Sequence, residues 1–239
     1  YRRAAGAGRP EGYYSRGVCY EIGMGVAGDM AKSIQNYQKA AEMGLTQAMQ
    51  KLASLYIAGA GVPHNPDLGM AWLEKAAGAG MPQAMNELGV IHLSGLLGQK
   101  KDEKKALSMF IRAADTGNLE AMKNIAVMYK DGLGVTADPA KAYSWYLIAR
   151  RGGYGGEEIV RVIGLLEGSL TTAAAERARK DADEWIANFV KRQAQAGAGA
   201  PAGTEAWAQE LCAAIQEGAQ VLRDNQLAPA DGAAPAALL

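Results

Sequence analysis

The sequence predicts an all-α protein: a solenoid of stacked helical hairpins that ends in capping helices and a mostly flexible tail. Three observations predict this fold class: an internal repeat of about 36 residues, helical spacing of the apolar residues, and helix-ending residues in register. The 239 residues carry 25 basic and 25 acidic side chains, so the formal net charge is zero. Because nucleic-acid-binding domains carry a basic excess, nucleic acid is not an expected partner.

Two sequence phrases recur along the chain with one period. The first phrase is an Ala pair followed by Gly, and its copies close at Gly44, Gly80, Gly117 and, in degraded form, Gly153. The second phrase is Gly-x-Gly-Val, and its copies begin at Gly23, Gly59, Gly132 and, in blurred form, Gly95. Phrases that keep one spacing over several copies indicate a repeat architecture, in which neighbouring units bury each other's apolar faces.

Each unit of the repeat has the pattern of a helical hairpin. In the first helices, apolar residues fall at i, i+4, i+7 and i+8, as in Ala48, Leu52, Leu55 and Tyr56. Beside this stripe stand small residues that would let the paired helix approach closely, namely Gly17, Ala53, Gly89 and Ala126. The first Gly of each Gly-x-Gly-Val phrase ends the first helix, and the second helix opens on a capping side chain: Asp29, Asn65, Asp102 or Asp138.

These boundaries divide the chain into successive parts. Residues 1–8 align with residues 73–80 and predict the end of a second helix from an upstream repeat. Four complete repeats follow, at residues 9–44, 45–80, 81–117 and 118–153. Residues 154–192 predict C-terminal capping helices, with Ile159, Ile163 and Leu166 in an apolar stripe and Thr171 or Thr172 as the cap of the last helix.

The tail, residues 193–239, is rich in Ala, Gly and Pro, which predicts flexible chain around one amphipathic helix. This tail helix spans about residues 204–225 and carries Trp207, Leu211, Ile215 and Leu222 on one side. Such a helix either packs back on its own solenoid or docks into a partner, and the sequence leaves both alternatives open. It also offers a route to self-association.

The sequence predicts no catalytic, cofactor-binding or metal-binding residue. Residues 23–28 satisfy the dinucleotide fingerprint Gly-x-Gly-x-x-Gly, but that motif needs a preceding strand, and here a helix precedes it. His92 stands where other repeats have Tyr, which favours a packed core residue, and the other histidine, His64, lies in a loop. Cys19 shares its repeat position with Leu55, which predicts a buried thiol, and with Cys212 it forms no zinc-binding pattern. The sequence contains no run of about 18 apolar residues, which is the length that a membrane-spanning helix needs.

The fourth repeat carries most of a known family pattern. Its matching residues are Ala121, Ile125, Ala126, Tyr129, residues 132–135, Asp138, Lys141, Ala142, Trp145 and Tyr146. On these residues the chain resembles the Sel-one-like repeat (SLR) family, relatives of the tetratricopeptide repeat. Departures from the family pattern are Arg16, Asn36, Gly98 and Met109. The resemblance implies a right-handed superhelix whose first helices line a concave groove that binds protein partners. Together with the composition rich in Ala and Gly, it favours a bacterial periplasm or cell envelope.

Positions that vary on the first helices, away from the inter-repeat stripe, are the candidates for lining this groove. They are Tyr14, Val18, Glu21, Gln50, Ile57, Asn86, Val90, Leu93, Lys123, Val127 and Lys130. A surface that mixes apolar and charged groups suits a peptide or a partner helix. The alternative is that these residues are ordinary solvent-exposed positions, which would vary between repeats in the same way.

Three functions follow as hypotheses. The first is a non-enzymatic scaffold or adaptor that binds a partner protein or peptide in the groove. The second is a regulator whose tail helix occupies the groove or mediates oligomerisation. The third is an envelope hydrolase or a binder of cell-wall fragments, and it requires two or more titratable side chains within hydrogen-bond reach of one another.

Overall fold

The structure is a computed structural model that describes residues 8–196 and shows ten α-helices and no strand in that range. In chain order the helices are α1 (Pro10–Ile22), α2 (Met30–Glu42), α3 (Thr46–Ala58), α4 (Pro66–Gly78), α5 (Pro82–Ser94), α6 (Glu103–Ala114), α7 (Leu119–Asp131), α8 (Pro139–Arg151), α9 (Glu157–Ser169) and α10 (Thr172–Ala196). They belong to two compact units, unit 1 ending at Ala137 and unit 2 beginning at Asp138. The all-α prediction is confirmed.

In unit 1, consecutive helices form hairpins, and α1 pairs with α2, α3 with α4, and α5 with α6. The second helix of each hairpin also packs on the first helix of the next, which is the nearest-neighbour stacking of a solenoid. The Ala pairs of the repeat lie in these contacts and are buried, as Ala40 and Ala41 show in α2. Because Ala has no side chain beyond Cβ, such positions let helices approach closely.

Local capping residues set where these helices begin and end, as the sequence predicts. The four first helices of the repeats end at glycines in the left-handed conformation, with φ between 67° and 70°: Gly23, Gly59, Gly95 and Gly132. The second helices begin after a side chain that accepts a hydrogen bond from a backbone N–H three residues on. For Asp102, that donor is the N–H of Lys105, at 2.9 Å.

The small residues of the first helices make room for aromatic rings on the second helices. A Cβ atom added to Gly17 would lie 2.6 Å from the ring of Tyr37, and one added to Gly89 would lie 2.5 Å from the ring of Phe110. In the second hairpin the close approach is made from the other side, because a Cβ on Gly69 in α4 would lie 2.5 Å from Ile57. The predicted close approach is therefore confirmed for Gly17 and Gly89.

Two core predictions have different outcomes. His92 is buried, as its repeat position indicates. Cys19 is only half-buried, although the equivalent Leu55 is buried. The prediction of a buried thiol is wrong because α1 is the outermost described helix of unit 1, whereas α3 has helices packed on two sides.

Unit 2 contains the capping helices. α10 packs on α8, where the hydroxyl of Ser144 donates a hydrogen bond of 2.7 Å to the carbonyl oxygen of Ala178. Thr171 caps α10 by accepting a hydrogen bond of 3.3 Å from the N–H of Ala174. α10 continues to Ala196, past the sequence-based start of the tail at residue 193. None of the helices in residues 8–196 combines the length and the apolar character needed to span a bilayer.

Candidate functional site

The candidate groove residues all lie on the first helices of unit 1, and together we call them the first-helix surface. Val90 and Lys130 are exposed and Asn86 is buried. The half-buried members are Tyr14, Val18, Glu21, Gln50, Ile57, Leu93, Lys123 and Val127. The side chains of the surface thus range from buried groups that join the helices to groups that a partner could reach.

Hydrogen bonds join the first helices of successive repeats across this surface. The amide nitrogen of Gln50 on α3 donates to the carboxylate of Glu87 on α5, at 2.7 Å. In the next step along the array, the amide nitrogen of Asn124 on α7 donates to the amide oxygen of Asn86 on α5, at 3.0 Å. Both bonds connect the same two repeat positions, so they form a diagonal row that crosses from one repeat to the next.

Lys51, at the repeat position of Glu87 and Asn124, forms a cluster with Glu21 and Tyr37 of the first repeat. The Tyr37 hydroxyl donates to one carboxylate oxygen of Glu21 at 2.5 Å, and the Lys51 ammonium donates to the other at 2.7 Å. The Lys51 ammonium also lies 5.9 Å from the centroid of the Tyr37 ring. These contacts tie α1, α2 and α3 together at the edge of the surface.

The protonation behaviour of this cluster indicates a structural role. Burial by itself would raise the pKa of Glu21, but hydrogen bonds from Lys51 and Tyr37 outweigh it, and the net pKa lies below the ordinary value of 4.5. Burial, followed by the hydrogen bond to Glu21, raises the pKa of Tyr37 above its ordinary value. Both shifts lead away from neutral pH, whereas a general acid or base needs a pKa near the working pH. The cluster brings titratable groups together, but in protonation states that hold helices in place.

No metal-binding arrangement accompanies it: residues 8–196 contain no group of three or more His, Cys, Asp or Glu side chains placed to hold a metal ion. The dinucleotide-like residues 23–28 lie between α1 and α2, without a preceding strand in the described part. His64 is exposed in the loop before α4. Within residues 8–196, neither position forms part of a cluster of side chains arranged for catalysis.

Sequence reasoning missed one repeat position that is central to the surface. Ser15, Lys51, Glu87 and Asn124 occupy it, and the last three make the bonds between repeats. The signal was available, because this position directly follows the varying one that holds Gln50 and contains polar residues in all four repeats.

Ile57 lies against Gly69 of its own hairpin partner, α4. Glu21, at the same repeat position, likewise bonds to Tyr37 of its partner helix α2. This repeat position therefore faces the second helix in these two repeats. The tail candidates Trp207, Leu211, Ile215 and Leu222 lie outside the described residues.

Comparison with known proteins agrees with this architecture. The Sel1 repeat pattern matches residues 10–45, 46–81, 82–118 and 119–154. A crystal structure of a Sel1 repeat protein from Oxalobacter formigenes is similar with a TM-score of 0.63 and 29% identity, over 69% of this chain and 47% of that one. The crystal structure of c5321, a protective antigen of uropathogenic Escherichia coli with an SLR fold, has a TM-score of 0.53 and 23% identity, over 100% of this chain and 52% of that one.

Among curated proteins, chitin synthase regulatory factor 3 of Schizosaccharomyces pombe is 33% identical over 151 residues, which is 61% of this chain. The chain spans only 12% of the length of that relative. Sel1 repeats are generally protein-interaction scaffolds, and they suggest protein partners. With four matched repeats over residues 10–154, stacked as solenoid hairpins in unit 1, the chain belongs to the Sel1 repeat family.

Proposed function

We propose that this chain is a non-enzymatic scaffold that binds a partner protein or peptide on the first-helix surface, in the groove that such repeats form. The observation that carries the proposal is the arrangement around Val90. This side chain is exposed, one helical turn beyond the buried Asn86, on a helix that hydrogen bonds hold to both neighbouring first helices. An exposed apolar group on a rigid polar framework is a suitable anchor for a partner, because little conformational entropy is lost when it is buried.

The surroundings of Val90 give the surface its chemical character. Val18 and Val127 occupy the same repeat position and are half-buried. In the fourth repeat, Lys123 and Lys130 add positive charge, and Lys130 pairs with Asp131 at 3.2 Å. In the second repeat the position of Val90 holds Ser54, so the adjacent apolar groups are Val90 and Val127. An apolar pair with polar and basic groups beside it suits a partner segment that presents an apolar side chain next to a polar or acidic one.

The relative from Schizosaccharomyces pombe supports the same class of function. Its name describes a regulatory factor of an enzyme, and it is 33% identical to this chain over 151 residues. A repeat array in that setting would contribute by holding another protein. We infer an adaptor role for this chain on the same grounds.

The proposal is tested by placing a charge on the anchor. The full chain is used to capture partners from native extract, the captured protein is identified and purified, and its Kd is measured with the Val90→Asp variant. We expect Val90→Asp to weaken binding by at least about tenfold, which corresponds to about 1.4 kcal/mol.

The matched control is Ile111→Asp, because Ile111 is as exposed as Val90 but lies on α6, a second helix of the same repeat. Both variants put the same charge at an exposed apolar position, so their thermal unfolding should be similar. Binding that is equally strong in the two variants, or weaker in Ile111→Asp, would place the partner on another surface.

A further inference from the structure

α9 repeats the pattern of a first helix, although it lies beyond the four matched repeats. It has 13 residues, as α7 does, and the two helices share three buried apolar positions. Ile159, Ile163 and Leu166 of α9 are buried at the positions that Ala121, Ile125 and Met128 hold in α7. α9 therefore has the inter-repeat stripe of a fifth first helix.

The opposite side of α9 lacks the cover that the other first helices have. Val160 is 47% exposed, whereas the equivalent Met49, Met85 and Met122 are 9%, 5% and 1% exposed. Leu165, five residues later and at the repeat position of Val90, is 69% exposed. An apolar helix face of this kind indicates a docking surface.

Gly164, within this face, shows which kind of group is missing. It holds the repeat position of Gly17 and Gly89, where the rings of Tyr37 and Phe110 from the second helix would lie less than 3 Å from an added Cβ. Around Gly164 and around Gly168, one turn later, no described atom lies within 4 Å of an added Cβ. The face is shaped for a second helix that carries an aromatic ring.

α10 does not fill this position, although it follows α9 directly in the chain. It packs on α8 instead, through the Ser144 bond to Ala178 and a ring contact of 5.3 Å between Trp145 and Trp185. It also contacts α9 near the turn that joins the two helices, through the ion pair of Arg179 with Glu167. α9 is thus a first helix whose partner is absent from residues 8–196.

We propose that the tail segment 204–225 is this partner and docks on α9 as the missing second helix, with Trp207 over Gly164. The segment combines an aromatic residue with Leu211, Ile215 and Leu222 at helical spacing. Two glycines one turn apart leave a broad surface, as an indole ring larger than that of Tyr37 or Phe110 requires.

Chain length also favours this segment. Residues 197–203 connect it to Ala196 and reach roughly 25 Å when extended, so the segment can fold back along unit 2.

Hydrogen–deuterium exchange on the full chain tests the proposal. We expect the amides of residues 204–225 to exchange at least tenfold more slowly than those of an unstructured chain. Gly164→Leu should abolish this protection, because its side chain fills the docking position. The matched control is Gly78→Leu, another helical glycine with open space around it, and it should leave the protection intact.

Trp207→Ala gives a second measurement that does not alter α9. It should speed exchange in the rest of the segment, residues 208–225, and at the amides of α9. Absence of protection in the wild-type chain, or protection that survives Gly164→Leu, would overturn the proposal. Protection that requires a dimer, as measured by mass in solution, would assign the face to a second copy and also overturn it.

Discussion

At Leu97, the backbone adopts a left-handed conformation with a φ of 54°. The equivalent residues of the other three repeats adopt the same conformation, and all three are glycines. Those residues are Gly25, Gly61 and Gly134, with φ values of 68° to 73°. A residue with a Cβ atom pays about 1 kcal/mol or more for this conformation. The third repeat therefore makes the same left-handed turn with a less suitable residue.

We expect Leu97→Gly to stabilise the protein by about 0.5–1 kcal/mol, since relief of strain exceeds the added entropy of the unfolded chain. Urea denaturation measures the change. Leu96→Gly is the control: Leu96 is its exposed neighbour, and it is not among the residues with positive φ. A gain from Leu96→Gly that equals the gain from Leu97→Gly would contradict the argument from strain.

His92 makes stability depend on pH. Desolvation lowers its pKa below the ordinary value of 6.5, and the charge of Lys105 lowers it further, against smaller opposing effects of Asp102 and Glu74. Below about pH 6.5 the unfolded chain therefore binds more protons than the folded one, and stability falls as the pH falls. Relative to His92→Tyr, the wild-type protein should lose up to about 1.4 kcal/mol per pH unit in that range.

Denaturation of both proteins at pH 7.5 and pH 5.5 measures this difference. Carboxylate titration is common to the two proteins and cancels when their stabilities are subtracted. Tyr is the appropriate replacement because it occupies this position in the first, second and fourth repeats. An identical loss of stability on acidification in the two proteins would show that His92 does not contribute.

In the first and third hairpins, a glycine on the first helix leaves room for an aromatic ring on the second helix. Gly89 lies under the Phe110 ring of α6, whereas the second hairpin has Ala53 and Leu73 at the same positions. We expect Gly89→Ala to destabilise the protein by about 1–2 kcal/mol, because overpacking outweighs the better helix propensity of Ala.

Phe110→Leu should partly rescue Gly89→Ala, so that the double variant is more stable than the two single changes predict when added. The coupling is measured by a double-mutant cycle in urea. Gly78→Ala, at a glycine with open space, should cause no loss. Additive effects in the cycle would mean that the ring does not limit the size of residue 89.

The bounds of individual helices were largely predictable from sequence because their determinants are local. A glycine that can adopt positive φ ends each first helix, and an Asp or Asn side chain begins each second helix. The packing of α10 on α8 was not predictable in this way. It depends on contacts such as that between Ser144 and Ala178, which lie far apart in the sequence and outside the repeat period.

On the scale of the whole molecule, the repeat period predicts which residues share a position but not the direction of each side chain. The period places Ile57 in the candidate groove, yet Ile57 lies against Gly69 of its hairpin partner. It also misses Asn124, whose bond to Asn86 joins two repeats. Such choices depend on side chains from two repeats at once, so the sequence predicts which residues share a repeat position but not which contacts they make.

The central claim is that a partner protein binds the first-helix surface of unit 1. Site-specific photocrosslinking tests it most directly, with a benzophenone amino acid placed at position 90 or at position 111 of the otherwise unaltered full chain in its native cells. Because Val90 lies on the proposed surface and Ile111 on a second helix, we predict a partner crosslink from position 90 and none from position 111. The same crosslink from position 111, without one from position 90, would contradict the claim.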